Sequence, residues 1–587
     1  MNTTFVTAYI NIYGTNHYEK KDATWRFSQF VKLAKTGVLL VVFCDHENYD
    51  ALSDLVLQYD NIRLMPAIEL ADMAFHRIFC ETFPDPGPDK DLVLPVHRNV
   101  PKDTAEYILL QHSKVEFVQR VRQQNPWATS NFAWIDFNVF HVFQHDEHVR
   151  TILDMIARSP ASPYLTFPGC KSAPIPAGEF DRLHYFDNIC WRFCGGFFWG
   201  SAAAIDEFAV MSIENFAPYL RKFDKMPWEV NYWAYLEAVF PAWKHTIYMS
   251  DHNERLLAVP PHLLTRFLTQ TPHRSVPYEC PTDYPYISSS TSYLCVGGRH
   301  YANIRCVNYE LSERGYYWIR HPEGHIYTEN YLAEVDLVRG PRTYVRVEAD
   351  VQIPDRGGKI YGLEDIRLYP GTPAGSTPNE GTEVKFVATS ANYSPTERSR
   401  IVCGHYDLET AHIHSCRVIE PPENTWCEKN WIPLGNDEFV YKWYPYQIGH
   451  LDGDRLSIVR QYDLGQFPFC DRLRGSTIFQ PVPYGFLEGS LDRDGGGSLG
   501  VVHFSIDTEP RQYYHMMILL DKENVPVRHS GIFSFRKTSI EFCIGFAMDG
   551  DAVCFFVSNF DRDSEMIRIP ATALPELKYE IRAKRDK

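Results

Sequence analysis

Near residue 260 the hydrophobic pattern of this chain changes period, and one architecture cannot serve both sides of the change. Before it, apolar runs alternate with helical patterns. Thr4 to Ile10, Val38 to Cys44, Asn61 to Met65 and Phe132 to Ile135 read as strands. Thr24 to Lys35 reads as a helix, and Thr104 to Gln124 as one long helix with Tyr107, Ile108, Val115 and Val118 on a single face. That alternation predicts an α/β domain with a mostly parallel sheet covered by helices, binding ligands beyond the carboxyl ends of its strands.

After the change helical periodicity nearly vanishes. Short runs recur at Ile304 to Tyr309, Tyr316 to Ile319, Tyr344 to Val351, Val384 to Thr389, Arg455 to Val459, Leu499 to Phe504, His515 to Leu520 and Val553 to Ser558, with Gly, Pro and Asp turns between them. Many short strands in succession predict an all-β domain of the propeller kind, built from four-stranded blades. Between the halves, Pro260, Pro261, Pro272, Pro277, Pro281 and Pro285 and the run from Ser288 to Ser292 read as a linker. The expected division is therefore 1–258, a linker over 259–292, and 293–587.

Composition excludes several classes. Lys plus Arg is 58 against 74 Asp plus Glu, a net charge of −16, which argues against a general nucleic-acid binder. The start lacks a basic region followed by an apolar one, so no secretory leader is expected. The most apolar window, Val38 to Cys44, falls far short of the ~20 residues that span a bilayer. The 14 cysteines are scattered and form no CxxC pair, which predicts a reduced, soluble, cytoplasmic chain. Aromatic residues reach 14%, and the rings serve either core filling or stacking on sugar faces.

The segment Asn131 to Asn138 carries the sharpest chemical signal. A hydrophobic strand delivers Asp136 and then Asn138 at its carboxyl end, and residues i and i+2 of an extended chain point the same way. Both oxygens suit one hard cation, which would hold a diphosphate and relieve charge on a leaving group. A plain loop cap at Asp136 explains the same spacing.

Three ordered stretches, Phe5 to Ile12, Lys114 to His141 and Gly195 to Phe208, resemble the HtrL-type family of bacterial glycosyltransferases, over roughly residues 3–255. The resemblance implies a GT-A nucleotide-sugar fold in which Asp136 and Asn138 stand where the DxD metal motif lies, with Asn replacing the second Asp. It implies a manganese-type divalent ion and a UDP-hexose donor. Thr7, Ala8 and Tyr9 would open the nucleotide pocket, and Arg26 and Lys114 are cations for the diphosphate. Gly195 and Gly196 would border the acceptor, where absent side chains admit a sugar. Glu229, opening a helix after Pro227 and Trp228, is the expected general base. Glu237 reads as surface, and His252, ahead of His245, as a last metal ligand.

In the second half, Gly362 to Arg367, Glu428 to Trp431, Arg474 to Thr477 and Glu541 to Phe546, with Arg305 to Tyr309 and His503, resemble five-bladed propellers related to furanosidases and mannoside phosphorylases. The resemblance implies that Asp365, Glu428, Arg474, His503 and Glu541 converge on a central funnel. Ion pairs between Glu364 and Arg367, or Glu428 and Lys429, explain some of the same residues. The expected function is a metal-dependent, inverting hexosyltransferase, galactose first, acting on a glycan or glycoprotein acceptor, with a propeller that binds or processes glycan. The alternatives are a glycan-binding scaffold with degenerate sites and a propeller-centred glycosidase or phosphorylase.

Overall fold

The computed structural model describes residues 1–13, 21–84, 93–182, 184–371, 382–394, 398–483, 485–486 and 497–585. Contacts divide the chain into two units, Met1–Leu264 and Thr265–Lys587.

The first unit is built on a sheet of seven strands: β1 (Thr3–Tyr9), β2 (Leu40–Cys44), β3 (Ile62–Leu64), β4 (Asn131–Ile135), β5 (Leu165–Gly169), β6 (Phe197–Ser201) and β7 (His245–Met249). Their order is β3-β2-β1-β4-β6-β5-β7. β1 runs parallel to β2 and β4, whereas β6 lies antiparallel to β4 and β5. β2 and β4 are buried along their whole length, as the apolar runs Leu40 to Cys44 and Phe132 to Ile135 require. The chain proceeds from β1 to β3 in one direction and resumes on the other side of β1 with β4. The carboxyl ends of β1 and β4 therefore flank a topological switch point, where open α/β sheets bind ligands. The long helix expected over Thr104 to Gln124 is two helices, Ala105–His112 and Lys114–Gln124, meeting at Ser113, whose hydroxyl donates back to Leu109 O. That back-bond competes with the helix ladder and breaks the pattern that sequence alone shows as continuous.

The second unit is β-rich and propeller-like. Five antiparallel meanders begin with the strands Ile287–Val296, Glu364–Pro370, Ile432–Gly435, Arg474–Gly475 and Glu541–Asp549. Apolar clusters fill the spaces between successive meanders. Leu294 and Leu332 pack with Leu368 and Phe386, and Tyr369 and Val387 with Trp431 and Phe439. Trp443 stacks on Phe479 at 6.0 Å, Leu499 and Met517 pack with Phe546 and Phe555, and Ala547 and Phe556 return to Tyr293 and Ile304. Each meander thus packs on two neighbours, and the order closes on itself.

The expected linker over 259–292 is not a linker. Pro261–Leu264 is a short helix, and Arg274–Pro277 adds the outer strand to the last meander by pairing with Asp563–Pro570. Ser288 to Ser292, 1–3% exposed, lie inside the first innermost strand. Small side chains are what such a strand tolerates: a Cβ on Gly545 would stand 2.7 Å from Thr291 O. Crowding here and flexibility in a loop select the same residues.

Candidate functional site

In the first unit a cleft of ≈810 Å³ opens at the carboxyl ends of β1 and β4, lined among others by Ala8, Tyr9, Arg26, Lys114, Asp136 and Asn138. Glu229, Gly195, Gly196 and His252 border the same space. Thr7 does not: it is fully buried within β1, with its hydroxyl unpartnered among the described residues.

Asp136 continues the sheet ladder beyond β4, its N–H donating to Gly196 O at 3.0 Å. Trp134, two residues earlier on the same strand face, donates its indole N–H to Asp136 Oδ1 at 2.8 Å. At Asn138 the chain leaves the extended conformation and enters the turn Val139–Val142, so the i, i+2 argument stops at Asp136. Asn138 reaches the cleft from that turn, beside His141.

Glu229 is held from behind. His112, buried and therefore neutral, its imidazolium pushed down to about 4 by burial, donates Nε2–H to Pro227 O at 2.9 Å. This fixes the lead into the helix Glu229–Val239, whose N-terminus favours a carboxylate. Between the two carboxylates sits Lys114, only 3% exposed, 3.2 Å from Asp136 Oδ1 and 3.4 Å from Glu229 Oε1. Its ammonium also donates to Gly195 O at 2.8 Å. Burial alone would lower its ionisation, and Asp136 and Glu229 outweigh burial to raise it. Lys114 is therefore charged and paired with both carboxylates.

Gly195 has a reason different from the expected one. A Cβ there would lie 2.1 Å from Glu229 Oε1, so the missing side chain leaves room for that carboxylate. At Gly196 the added carbon would stand 3.5 Å from Asp136 Oδ2 and 3.0 Å from Leu256. Tyr9 stacks on Phe137 at 5.2 Å with the Arg26 guanidinium 5.9 Å from its ring, and burial raises its hydroxyl to about 12. His252 is exposed and stacked on Trp191 at 4.0 Å, both residues in left-handed backbone conformation. Such strain on a bulky residue beside a cleft is a functional hint that no sequence pattern announces. Glu237 is not a surface residue: it is buried, paired with Arg192 Nη2 and Nε at 2.5 and 2.8 Å and with His245 at 2.9 Å. That triad removes His245 from consideration as a metal ligand.

For a divalent ion the cleft offers Asp136 Oδ2, the Asn138 amide oxygen and a His252 ring nitrogen. Among the described residues no three His, Cys, Asp or Glu side chains form a metal group. The donors present are mixed and carry one negative charge, so they fit an ion that completes its shell on substrate oxygens.

In the second unit the expected funnel residues divide. Asp365, in left-handed conformation, accepts from Ser290 at 2.7 Å and from Arg305 at 3.2 Å. Arg305 also binds Glu364, at 3.2 Å, so Glu364 does not pair with Arg367. Arg367 crosses to Ser476 O at 2.7 Å and Asn430 at 3.0 Å, joining three meanders, and burial lowers it to about 10. His503, bonded to Ser476, is driven well below its ordinary value by burial and by nearby His515 and Arg367. Arg474, paired in register with His503, is exposed. Two expected members are closed off by donors of the fold. Glu428 is locked by Trp431 Nε1 at 2.9 Å, Thr425 and Tyr441, not by Lys429. Glu541 is enclosed by the backbone N–H groups of Phe535, Arg536 and Lys537 at 2.7–3.0 Å, and burial lifts it to about 7. Both carboxylates are structural. Sequence reasoning missed Asp561, which accepts from Tyr309 at 3.0 Å; it sits in a turn, where an aspartate draws no notice.

No family model and no curated protein matches the chain. Among solved structures, similar folds include β-1,2-mannobiose phosphorylase from Listeria innocua, at 12% identity over 51% of this chain and 97% of that one, with a TM-score of 0.31. Others are the GDP-Man-dependent mannosyltransferase MPT-1 from Leishmania mexicana (12%, 53% and 95%, TM-score 0.31) and mouse xyloside xylosyltransferase 1 (8%, 43% and 86%, TM-score 0.25). These neighbours are carbohydrate-active enzymes, and likenesses this slight carry no argument about this chain.

Proposed function

We propose that the first unit is a GT-A-type transferase moving a hexose, galactose first, from a uridine-type nucleotide sugar to a glycan acceptor with inversion. One observation carries the reading. Asp136 and Glu229, from separate elements, flank a single ammonium in a cleft at the sheet's switch point. Tyr9, Ala8 and Arg26 line the nucleotide end. Asp136, Asn138 and His252 would hold the divalent ion, which when bound supplies Lewis-acid relief of charge on the diphosphate. Glu229 takes the proton of the acceptor hydroxyl as that oxygen bonds the anomeric carbon, while the bond to diphosphate breaks and its electron pair leaves with the phosphate. Calorimetric titration with nucleoside diphosphates, with and without manganese, tests this. The expected result is manganese-dependent UDP binding that Asp136→Ala abolishes, and absence of diphosphate binding in the wild type overturns it.

A second reading concerns the second unit, which would bind or process glycan at its central hollow. It is favoured by Glu364 and Asp365, which keep side-chain exposures of 24% and 18% although strands surround them. Release of sugar from glycans, with and without inorganic phosphate, and its loss in Asp365→Asn, checks it; binding without release selects the lectin-like alternative. Among the described residues no helix is long and apolar enough to cross a membrane.

A further inference from the structure

A buried lysine at the first position of the helix Lys114–Gln124 is unusual. Helix N-termini repel cations, and a long charged side chain is normally solvated. Lys114 is nevertheless buried: its ammonium donates to Gly195 O and Glu229 Oε1 and is ion-paired with Asp136 Oδ1. Its Nζ also lies 5.8 Å from the Trp134 ring centroid. The backbone has been fitted to this cluster, because any side chain on Gly195 would strike Glu229 Oε1. An ammonium already held by two carboxylates and a carbonyl is committed to that cluster rather than to a phosphate oxygen.

We propose that Lys114 is a positioning residue: its ammonium ties the acceptor-side carboxylate of Glu229 to the donor-side carboxylate of Asp136, and it does not contact the diphosphate. The inference rests on the transferase reading above. In the reaction the acceptor O–H bond breaks, its proton passes to Glu229, the oxygen–carbon bond forms and the carbon–phosphate-oxygen bond breaks. The cluster of two carboxylates and one ammonium thereby goes from net negative to neutral. Lys114 then balances Asp136 alone, so one side chain serves the cluster before and after transfer.

Two measurements test the proposal on the full chain. In steady-state transfer, Lys114→Met should lower kcat by about 10²-fold, the effect of a misplaced base, with donor KM little changed. A raised donor KM with kcat preserved would mean that Lys114 meets the diphosphate, and would overturn it. The second measurement needs no turnover: thermal midpoints of Lys114→Met, Glu229→Gln and the double variant. The expected cycle is non-additive, the double variant recovering part of the midpoint lost in Lys114→Met, because the carboxylate left unpaired is gone. If Lys114→Met does not fold, recovery of a cooperative transition in the double variant supports the proposal and continued failure overturns it. Additive midpoints refute the positioning role even where transfer is seen, whereas a non-additive cycle without transfer faults the transferase reading alone.

Discussion

The cleft of the first unit and the central region of the second both gather carboxylates around cations, yet they use them differently. In the cleft one ammonium serves two carboxylates, and Asp136 keeps 39% of its side chain open. In the second unit Glu428 and Glu541 are closed on all sides by hydroxyl, indole and backbone donors. A carboxylate with every lone pair satisfied holds loops in place, while one with an oxygen facing solvent-filled space is available for chemistry. Carboxylates gathered near cations are thus suited to different work, and accessibility separates the cases.

The largest expected effect sharpens that contrast. Glu229→Gln keeps shape and removes the base, so kcat should fall by roughly 10²–10⁴-fold while UDP affinity holds. A near-normal kcat, or a product that retains the donor's anomeric configuration, would place the chemistry elsewhere. Glu541→Gln should do the reverse. One amide oxygen cannot serve three backbone N–H donors, and the loss in unfolding free energy should be on the order of 3 kcal/mol. UDP binding should persist in the folded fraction; denaturant unfolding with parallel calorimetry checks both, and an unchanged midpoint would contradict the structural role.

What the sequence could disclose follows the same division. Strand periodicity and the Asp136 strand end were readable because a buried parallel strand needs an unbroken apolar run, and its end is where polar groups meet a ligand. Glu237 was misread because a charge on a helix reads as solvated, and nothing local to Lys114 announces the carboxylates it pairs with. Only the partners, contributed by residues 8 to 115 positions away, show otherwise. Ser288 to Ser292 failed for a different reason, since steric crowding and loop flexibility favour the same small residues. Glu428 and Glu541 were recognised as special, but a motif cannot say whether a carboxylate faces inward to backbone donors or outward to a cavity.

Gly195→Ala tests the steric half of the cleft argument. The added methyl must displace Glu229, so kcat should fall by about 10²-fold in a protein that still binds UDP. If the glycine exists to admit a sugar instead, acceptor KM should rise with kcat preserved, and steady-state kinetics with varied acceptor separates the two.

The smallest expected effect is a slope with pH, and it belongs to the second unit alone. Burial is the largest influence on Glu541 and raises it from 4.5 to about 7, against three backbone N–H groups that favour the ionised form. Between those values the folded carboxyl keeps a proton that the unfolded chain has released, so the folded state binds more protons. Stability then falls as pH rises through this window, by at most about 1.4 kcal/mol per pH unit. Below the window both states are protonated, above it both are ionised, and the contribution is flat. Other groups titrate nearby, including histidines, so the informative quantity is the wild-type unfolding free energy minus that of Glu541→Gln at each pH. That difference should decline from acid toward neutral pH. A difference that rises instead would mean that the three donors outweigh burial and hold Glu541 ionised in the fold, and the enclosed carboxylate would then resemble those of the cleft in charge, though not in access.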